Sequence, residues 1–185
     1  MTTHALDVVV VGAGTAGCYA AATAADAGLD VVVVDRKSAE EAGHIACGDA
    51  LKGADAFPAA IPKSTIQPAF TNTGVDHGRF EIPSEDTVLE IPVPGELAVI
   101  DRHEFGRLII EGAEAAGADF HYDTVVRDVR QAEDGTVEGV EAVREGDPVT
   151  YEAEVTVDAA GALSVLQDTA DLSAATFDTN VSYSQ

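Results

Sequence analysis

One stretch near the N-terminus constrains the fold more than any other part of the chain. Residues 6–11 form the apolar run LDVVVV, and the turn GAGTAG follows it at once. Small residues then dominate up to Gly28, and a second run, residues 31–34, leads directly into Asp35. Apolar runs without alternation are typical of parallel strands that are covered on both faces. The pattern predicts a strand–helix–strand unit whose helix ends at Gly28.

The turn carries three glycines with the spacing Gly12-x-Gly14-x-x-Gly17. In a dinucleotide-binding unit the first glycine permits the tight turn, the second lets a pyrophosphate approach the backbone, and the third lets helix and strand pack closely. The helix N-terminus supplies N–H donors and positive potential for the phosphates. Because the triplet follows a strand, opens a helix and precedes an acid at the usual distance, it predicts a dinucleotide site.

The acid at the end of the second strand bears on which dinucleotide binds. Asp35 can accept hydrogen bonds from a ribose diol and disfavours a 2′-phosphate, and hence NADP, although the adjacent Arg36 and Lys37 weaken that exclusion. We assign Asp35 and Arg36 to the nucleotide site. An NAD dehydrogenase normally continues with alternating strands and helices, whereas here an irregular segment and a hairpin follow. This departure favours FAD.

The remaining segments predict further elements. Residues 36–68 show no periodicity and are expected to be irregular, whereas residues 70–91 predict an antiparallel hairpin that ends at Pro92 and Pro94. The capping pattern at 101–104 begins a helix that Gly117 closes. A strand at 118–122 should follow, and then a β-meander inserted before the chain returns to the main sheet at VTVDAAG, with strands at 125–131, 136–144 and 149–157.

Charge and composition exclude several functions. Acidic residues outnumber basic ones by 33 to 10, so the formal net charge is −23, and nucleic-acid binding is excluded as the main function. We interpret the dispersed acids as a solvated shell of the halophile type, with an ordinary acidic domain as the alternative. No membrane span or leader pattern is present in the sequence. The two cysteines, Cys18 and Cys47, are too few for a disulfide framework, and Cys18 is expected to be buried and reduced, which predicts a cytoplasmic location.

Three segments carry a resemblance to a known family: EAGHIACGDAL at 41–51, DRHEFGRLI at 101–109 and TVDAAGALSVL at 156–166. With them the chain resembles the archaeal geranylgeranyl reductases, which are similar in fold to the flavin-dependent aromatic hydroxylases. The resemblance implies an α/β fold, namely a Rossmann-like FAD-binding domain of the glutathione-reductase/aromatic-hydroxylase type, with an inserted β-meander and the start of an antiparallel substrate domain. It also implies FAD-dependent saturation of isoprenoid double bonds in archaeal membrane lipids.

The resemblance assigns roles to individual residues. It places Cys47 beside the isoalloxazine ring as the catalytic residue near which a proton is delivered. The cofactor-binding residues that it implies are Gly12, Gly14, Gly17, Asp35, Gly48, Asp49, Arg102 and Gly161. Three of these positions have structural alternatives: Cys47 as a small apolar filler, Asp49 as a turn cap, and Arg102 as a surface charge near Glu104.

The histidines show no metal-ligand spacing, so no metal site is predicted. His44, His77, His103 and His121 receive no role, and His4 is expected in a disordered terminus.

The resemblance also implies a division of the chain and its partners. Residues 1–65 would form the FAD-binding unit with its flavin-contact loop, 66–96 a hairpin of the substrate domain, 97–170 the return with the meander, and 171–185 the start of the next substrate-domain segment. Members of the family are longer, so the chain is expected to be an N-terminal portion. The implied partners are a prenyl lipid and an electron donor, either ferredoxin or a nicotinamide nucleotide, with peripheral membrane contact through the remaining part. Two alternatives stay open: a monooxygenase on the same scaffold and a non-catalytic nucleotide-binding remnant.

Overall fold

A computed structural model of the protein describes residues 2–43, 49–52, 57–161, 164 and 166–170. Within these ranges the chain combines helices with a sheet that contains parallel strands, which confirms the predicted α/β class. The strands are β1 (Thr2–Val11), β2 (Val31–Val34), β3 (Ala50–Lys52), β4 (Phe70–Ile82), β5 (Thr87–Ile100), β6 (Asp119–His121), β7 (Thr124–Gln131), β8 (Val137–Arg144) and β9 (Asp147–Asp158). The helices are α1 (Thr15–Asp26), α2 (Lys63–Ile66), α3 (Arg102–Ala115) and α4 (Leu166–Thr169).

The main sheet has the order β6-β2-β1-β9-β8-β7 in the described part of the chain. Strands β6, β2, β1 and β9 are parallel to one another, and β7, β8 and β9 form the predicted antiparallel meander. The sequence predicted that the chain returns to the main sheet after the meander. In the structure the return takes place within the last strand of the meander. Strand β9 is long enough to pair with β8 through its first half and with β1 along nearly its whole length. It is therefore both the last strand of the meander and a strand of the parallel sheet.

The two faces of the parallel strands bury two different cores. Alternating valines of β1 and β2 point to opposite faces, since side chains alternate along a strand. On one face Val8, Val10, Val31 and Val33 pack in the layer that contains α1 and α3. On the other face Val9, Val11, Val32 and Val34 pack against meander residues such as Val140 and Tyr151. Burial on both faces explains why these strands have no polar alternation.

Helix α1 begins directly after the glycine turn and packs closely against α3. Cys18, Ala21 and Ala22 on α1 and Ala113 on α3 are each fully buried, because small side chains let the two helices approach. Burial raises the pKa of the Cys18 thiol to about 12, so this cysteine stays protonated, as expected for a buried, reduced residue. The helix ends at Asp26, and Gly28 follows in the left-handed conformation with φ +85°.

Helix α3 begins as its sequence predicts. The Asp101 carboxylate accepts a hydrogen bond of 3.0 Å from the Glu104 N–H, so Asp101 caps the first turn. Phe105, Ile109 and Ala113 form its buried face, at the helical spacing expected of an amphipathic helix.

The second sheet contains β3, β5 and β4 in that order. Strands β4 and β5 form the predicted hairpin, but β5 continues through Pro92 as far as Ile100. Proline is tolerated at an edge where no hydrogen bond is needed from its nitrogen. Strand β3 pairs with β5 only opposite residues 97–99, so Pro92 pairs only with His77 of β4. The prolines therefore do not end the strand.

The expectation that residues 36–68 are wholly irregular is wrong. The described part of this segment contains β3 and the single-turn helix α2, followed by a 3-10 turn at Gln67–Ala69. Elements of three or four residues are shorter than the windows in which hydrophobic periodicity is visible. Their positions come from pairing with β5 and packing on α3 rather than from a local pattern.

The expectation that His4 lies in a disordered terminus is also wrong. Strand β1 begins at Thr2 because β9 extends far enough to pair with it from that residue. The His4 ring stacks on Tyr151 with centroids 5.1 Å apart and meets His121 edge-on at 5.0 Å. The Nδ1 atom of His121 lies 2.8 Å from the Tyr151 hydroxyl. A small aromatic cluster thus attaches the N-terminal end of β1 to the sheet.

This cluster predicts a pH-dependent contribution to stability. Burial, helped by the nearby Arg144 and His4 and opposed by Asp119, lowers the pKa of His121 to about 4. The unfolded chain takes up the proton near pH 6.5 and the folded protein only near 4, so stability falls as the pH decreases between these values. Thermal unfolding should show a shallower fall from pH 6.5 to 4 for His121→Asn than for the wild type. Equal slopes would contradict the lowered pKa, because all carboxylates titrate in both proteins.

The charge of the chain predicts a strong dependence of stability on salt. A net charge of −23 on 185 residues opposes compaction through self-repulsion. The Debye length falls from ~10 Å at 0.1 M to ~3 Å at 1 M salt, which screens this repulsion. We expect the melting temperature to rise with KCl into the molar range. An unchanged melting temperature between about 0.1 and 2 M KCl would contradict the halophile interpretation.

No described helix is both long enough and apolar enough to cross a membrane. The described residues likewise contain no group of three or more side chains able to hold a metal ion.

Candidate functional site

The carboxyl ends of the parallel strands enclose a cleft of about 480 Å³. Its walls come from residues 11–14 at the end of β1, 34–37 at the end of β2, 124–127 at the start of β7 and 159–161 after β9, together with Gly43. Ligands of open α/β sheets bind at this edge, where loops leave the strands. The structure thus brings Gly12, Gly14, Asp35, Arg36 and Gly161, all predicted as cofactor-binding residues, to one cleft.

The first and third glycines of the turn are required by packing. Gly12 has φ +108°, and a Cβ at this position would lie 2.5 Å from the Ala159 carbonyl oxygen. A Cβ on Gly17 would overlap the carbonyl oxygen of Gly12. Both obstacles are backbone atoms that have little freedom to move. Gly17 therefore supports the site by letting α1 approach the turn.

The middle glycine has a different role. Gly14 lies at the N-cap of α1 with φ −80° and ψ −176°, an extended conformation that any residue can adopt. No side chain caps the helix here, and Gly14 itself lines the cleft. The first N–H groups of a helix have no partners within it. A bare backbone in front of these donors is what a pyrophosphate needs for close approach.

Asp35 connects the end of β2 to the glycine turn. One carboxylate oxygen accepts a hydrogen bond of 2.7 Å from the Ala13 N–H, and the other accepts one of 2.8 Å from the Lys37 N–H. These bonds hold the carboxylate at the cleft wall. Each oxygen keeps further acceptor capacity, so the side chain can still receive hydrogen bonds from a ribose diol.

Gly161 at the end of β9 lines the cleft in a left-handed conformation with φ +81°. A Cβ at this position would meet no described atom within 4 Å. The backbone conformation, rather than crowding, therefore requires glycine here.

Asp49 and Arg102 form a second neighbourhood and do not belong to the residues that line the cleft. The carbonyl oxygen of Asp49 accepts a hydrogen bond of 2.8 Å from the Ile100 N–H, two residues before Arg102. Asp49 is exposed and has φ +53°, a conformation suited to a turn residue.

Arg102 begins α3, and its guanidinium lies 5.2 Å from the centre of the Phe105 ring. Its Nε is buried and has no hydrogen-bond partner among the described residues. Glu104, the acid that the surface-charge alternative places near Arg102, pairs with Arg107 at 2.7 Å. An unpartnered buried donor at the start of a helix is compatible with an acceptor from a bound ligand.

Cys47 and Gly48 lie outside the described residues. Their predicted places beside the isoalloxazine ring therefore remain predictions, as do the ligand contacts of the other candidate residues.

One backbone contact that forms part of the cleft is not predicted from the sequence. Gly43 lines the cleft with φ +77° and crosses α3 at Gly106, where a Cβ on Gly43 would lie 2.7 Å from the Gly106 carbonyl carbon. A Cβ on Gly106 would overlap the Gly43 carbonyl group. A glycine inside a helix costs about 1 kcal/mol relative to alanine, which was the available signal for this contact.

The wall at 124–127 was also missed. The Thr124 N–H donates to the Asp35 carbonyl oxygen at 2.9 Å, and the Asp123 N–H donates to the Lys37 carbonyl oxygen at 3.0 Å. These bonds attach the start of β7 to the segment after β2. Backbone contacts of this kind leave no side-chain signature in the sequence.

Residues 7–169 match the family of FAD-dependent oxidoreductases. The chain belongs to this family. Membership confirms the predicted cofactor, FAD, and the predicted oxidoreductase class, and the glycine turn and helix N-terminus described above fit such a dinucleotide.

The chain is similar to two curated relatives in sequence and to one solved structure in fold. The chain is 34% identical over 160 residues to a digeranylgeranylglycerophospholipid reductase of Methanothrix thermoacetophila, a match that covers 84% of this chain and 39% of that protein. It is 37% identical over 147 residues to a menaquinone reductase of Mycolicibacterium smegmatis, covering 76% of this chain and 34% of the relative. This flavoprotein chain thus spans well under half of either relative.

The solved structure is a geranylgeranyl bacteriochlorophyll reductase-like protein of Thermoplasma acidophilum, with a TM-score of 0.75 and 24% identity. The match covers 92% of this chain and 43% of that one, and it shows the shared fold. The predicted Rossmann-like FAD-binding fold and the resemblance to the geranylgeranyl reductases are thereby confirmed for the N-terminal part.

Proposed function

We propose that this chain forms the FAD-binding part of a reductase that saturates isoprenoid double bonds of membrane lipids. The observation that carries the proposal is the cleft at the end of the parallel strands, in a chain similar over most of its length to a digeranylgeranylglycerophospholipid reductase. The second relative is named for menaquinone. Both compounds carry polyprenyl chains, which supports a prenyl group as the common substrate feature.

The residues of the cleft, together with Arg102 outside it, would divide between the parts of the cofactor. Gly14 and the N-terminus of α1 would hold the pyrophosphate, and Asp35 would bind the ribose diol next to it. Arg102 would offer its unpartnered Nε to the flavin-bearing part. When bound and reduced by the electron donor, FAD would supply the hydride that adds to one alkene carbon, and a proton would add to the other. The chain's own residues would orient the cofactor through these contacts.

The proposed function also implies a lipid substrate, a place of action at the membrane and an electron donor. The substrate would be a prenyl lipid such as a digeranylgeranyl glycerophospholipid, and the enzyme would act at the cytoplasmic face of the membrane that contains it. Ferredoxin or a nicotinamide nucleotide would supply the electrons. A hydrocarbon substrate offers no polar group along the chain, so binding would rest on apolar contact.

The proposal is tested with the protein that carries this chain, purified in molar KCl. After chemical reduction of the flavin, it is incubated with digeranylgeranylglycerophospholipid, and the lipid is analysed by mass spectrometry. We expect two hydrogens to be added for each double bond that disappears. Incorporation of oxygen would indicate a monooxygenase instead, and a protein that retains no FAD would indicate a non-catalytic remnant.

Cys47 provides a sharper test of the reaction. If its thiol lies at the flavin and helps to deliver the proton, Cys47→Ala should retain FAD and lose about 10²-fold or more in lipid reduction, the scale of a positioned proton donor. Cys47→Ser keeps the size and a weak donor and should retain more activity. A filler thiol would instead cost some stability and leave turnover unchanged. Cys18→Ala, which changes a fully buried thiol, is the control for a purely structural effect.

A further inference from the structure

Basic side chains are scarce in this chain and collect at the cleft. Of the 10 lysines and arginines, three line it, namely Arg36, Lys37 and Arg127. Three arginines elsewhere pair with glutamates: Arg79 with Glu81, Arg107 with Glu104 and Glu111, and Arg130 with Glu138 and Glu152.

Arg36 and Arg127 differ from these arginines. Both are exposed, and the described residues provide no ion-pair partner for either of them. In a chain with 33 carboxylates, an arginine without an acidic partner is available for a group that comes from outside.

The two arginines lie on the Asp35 side of the cleft. Arg36 follows Asp35 directly, and Arg127 lies on β7, whose first residues are hydrogen-bonded to the segment after β2. The order of groups in the nucleotide half of FAD is pyrophosphate, ribose and adenine. With the pyrophosphate at α1 and the ribose at Asp35, the next group on this side is the adenine ring.

Guanidinium groups bind both phosphates and aromatic rings. The other residues of the cleft indicate which of these two ligand groups the arginines would contact. The Asp35 carboxylate at this side of the cleft disfavours a further phosphate beside it. An adenine ring is uncharged and presents a π-face on which a planar guanidinium can stack. Stacking also persists at high salt, where contacts between exposed charges are screened.

We propose that Arg36 and Arg127 bind the adenine ring of FAD by stacking their guanidinium groups on it. The proposal rests on the placement of FAD in this cleft under the proposed function. It makes Arg127 a binding residue that the glycine fingerprint does not include. The two arginines would secure the adenosine end, while the N-terminus of α1 holds the pyrophosphate.

Binding of ADP and of inorganic pyrophosphate to the full chain tests the proposal by calorimetry at 0.1 and 1 M KCl. Arg127→Gln should weaken ADP binding about 10-fold at both salt concentrations, the scale of a cation–π contact, and leave pyrophosphate binding unchanged. Arg127→Lys should not restore wild-type ADP affinity, because a point charge replaces the planar group that stacks. The matched control is Arg130→Gln on the same strand, which removes an arginine already paired with glutamates and should leave ADP affinity unchanged.

Other outcomes would overturn the proposal in distinguishable ways. Equal losses for ADP and pyrophosphate, or a loss that disappears at 1 M KCl and that lysine restores, would indicate a phosphate contact. ADP affinity unaffected by Arg127→Gln would remove Arg127 from the site. If Gly14→Val leaves ADP binding intact, the nucleotide does not occupy this cleft, and the proposed function fails together with the arginine contact.

Discussion

Replacing Gly14 with valine should reduce FAD affinity by at least about 10²-fold while the protein stays folded. The backbone at Gly14 is extended, with φ −80° and ψ −176°, so valine can adopt it without strain. Its branched side chain would occupy the space in which the pyrophosphate approaches the helix N-terminus. Flavin absorbance after gel filtration measures the loss, and circular dichroism confirms the fold.

The control for this substitution is Gly78→Val on β4. A Cβ at Gly78 would make only ordinary contact, 3.5 Å from the Phe80 ring, and the residue lies outside the cleft. This variant should retain FAD fully. Stoichiometric flavin in Gly14→Val would show that the pyrophosphate does not bind at the glycine turn.

Replacing Gly106 with alanine should destabilise the protein and weaken FAD binding together. The added Cβ would overlap the Gly43 carbonyl group, and both are backbone positions, so neither can turn away. Overpacking of this kind costs about 1–3 kcal/mol, occasionally more, and exceeds the gain of about 1 kcal/mol that alanine brings to a helix interior. Because Gly43 lines the cleft, its displacement also changes the cofactor site. Denaturant unfolding and flavin titration measure the two effects.

Gly112→Ala on the same helix is the matched comparison. Its added Cβ would lie 2.7 Å from Cγ2 of Ile61, a side-chain atom that can shift by repacking. The same gain in helix propensity applies, so Gly112→Ala should be clearly more stable than Gly106→Ala. Equal stability of the two variants would show that the crossing of Gly43 over α3 tolerates a side chain.

Electrostatics distinguish the cleft from the rest of the surface. Most of the chain presents carboxylates, whereas three of its 10 basic residues line one cleft that would receive an anionic dinucleotide. The N-terminus of α1 at this cleft counters the repulsion that a net charge of −23 exerts on the phosphates. Salt screens the repulsion between ADP and the distant carboxylates more strongly than the contacts within the cleft. At high salt we therefore expect the affinity for ADP to depend more on the groups of the cleft than on the net charge of the chain.

Local sequence determined the strand–turn–helix unit and the class of cofactor. The apolar run before Gly12, the glycine spacing and the acid at Asp35 are constraints between near neighbours, and each reflects a contact that only those residue types allow. The cap at Asp101 and the meander were predictable for the same reason. The resemblance of three sequence segments to a known family then predicted an FAD-dependent oxidoreductase. The family match over residues 7–169 confirmed this prediction.

The tertiary structure alone decided which distant segments meet. The Gly43–Gly106 crossing, the wall at 124–127 and the place of His4 beside Tyr151 depend on backbone approach and strand register, which leave no local pattern. Short elements such as β3 exist because a partner strand provides their hydrogen bonds, not because their own residues specify them. The contact between Arg36 and an adenine ring becomes a hypothesis only when β7 brings Arg127 to the same cleft. Sequence thus specified the nucleotide-binding turn, and long-range packing decided what surrounds it.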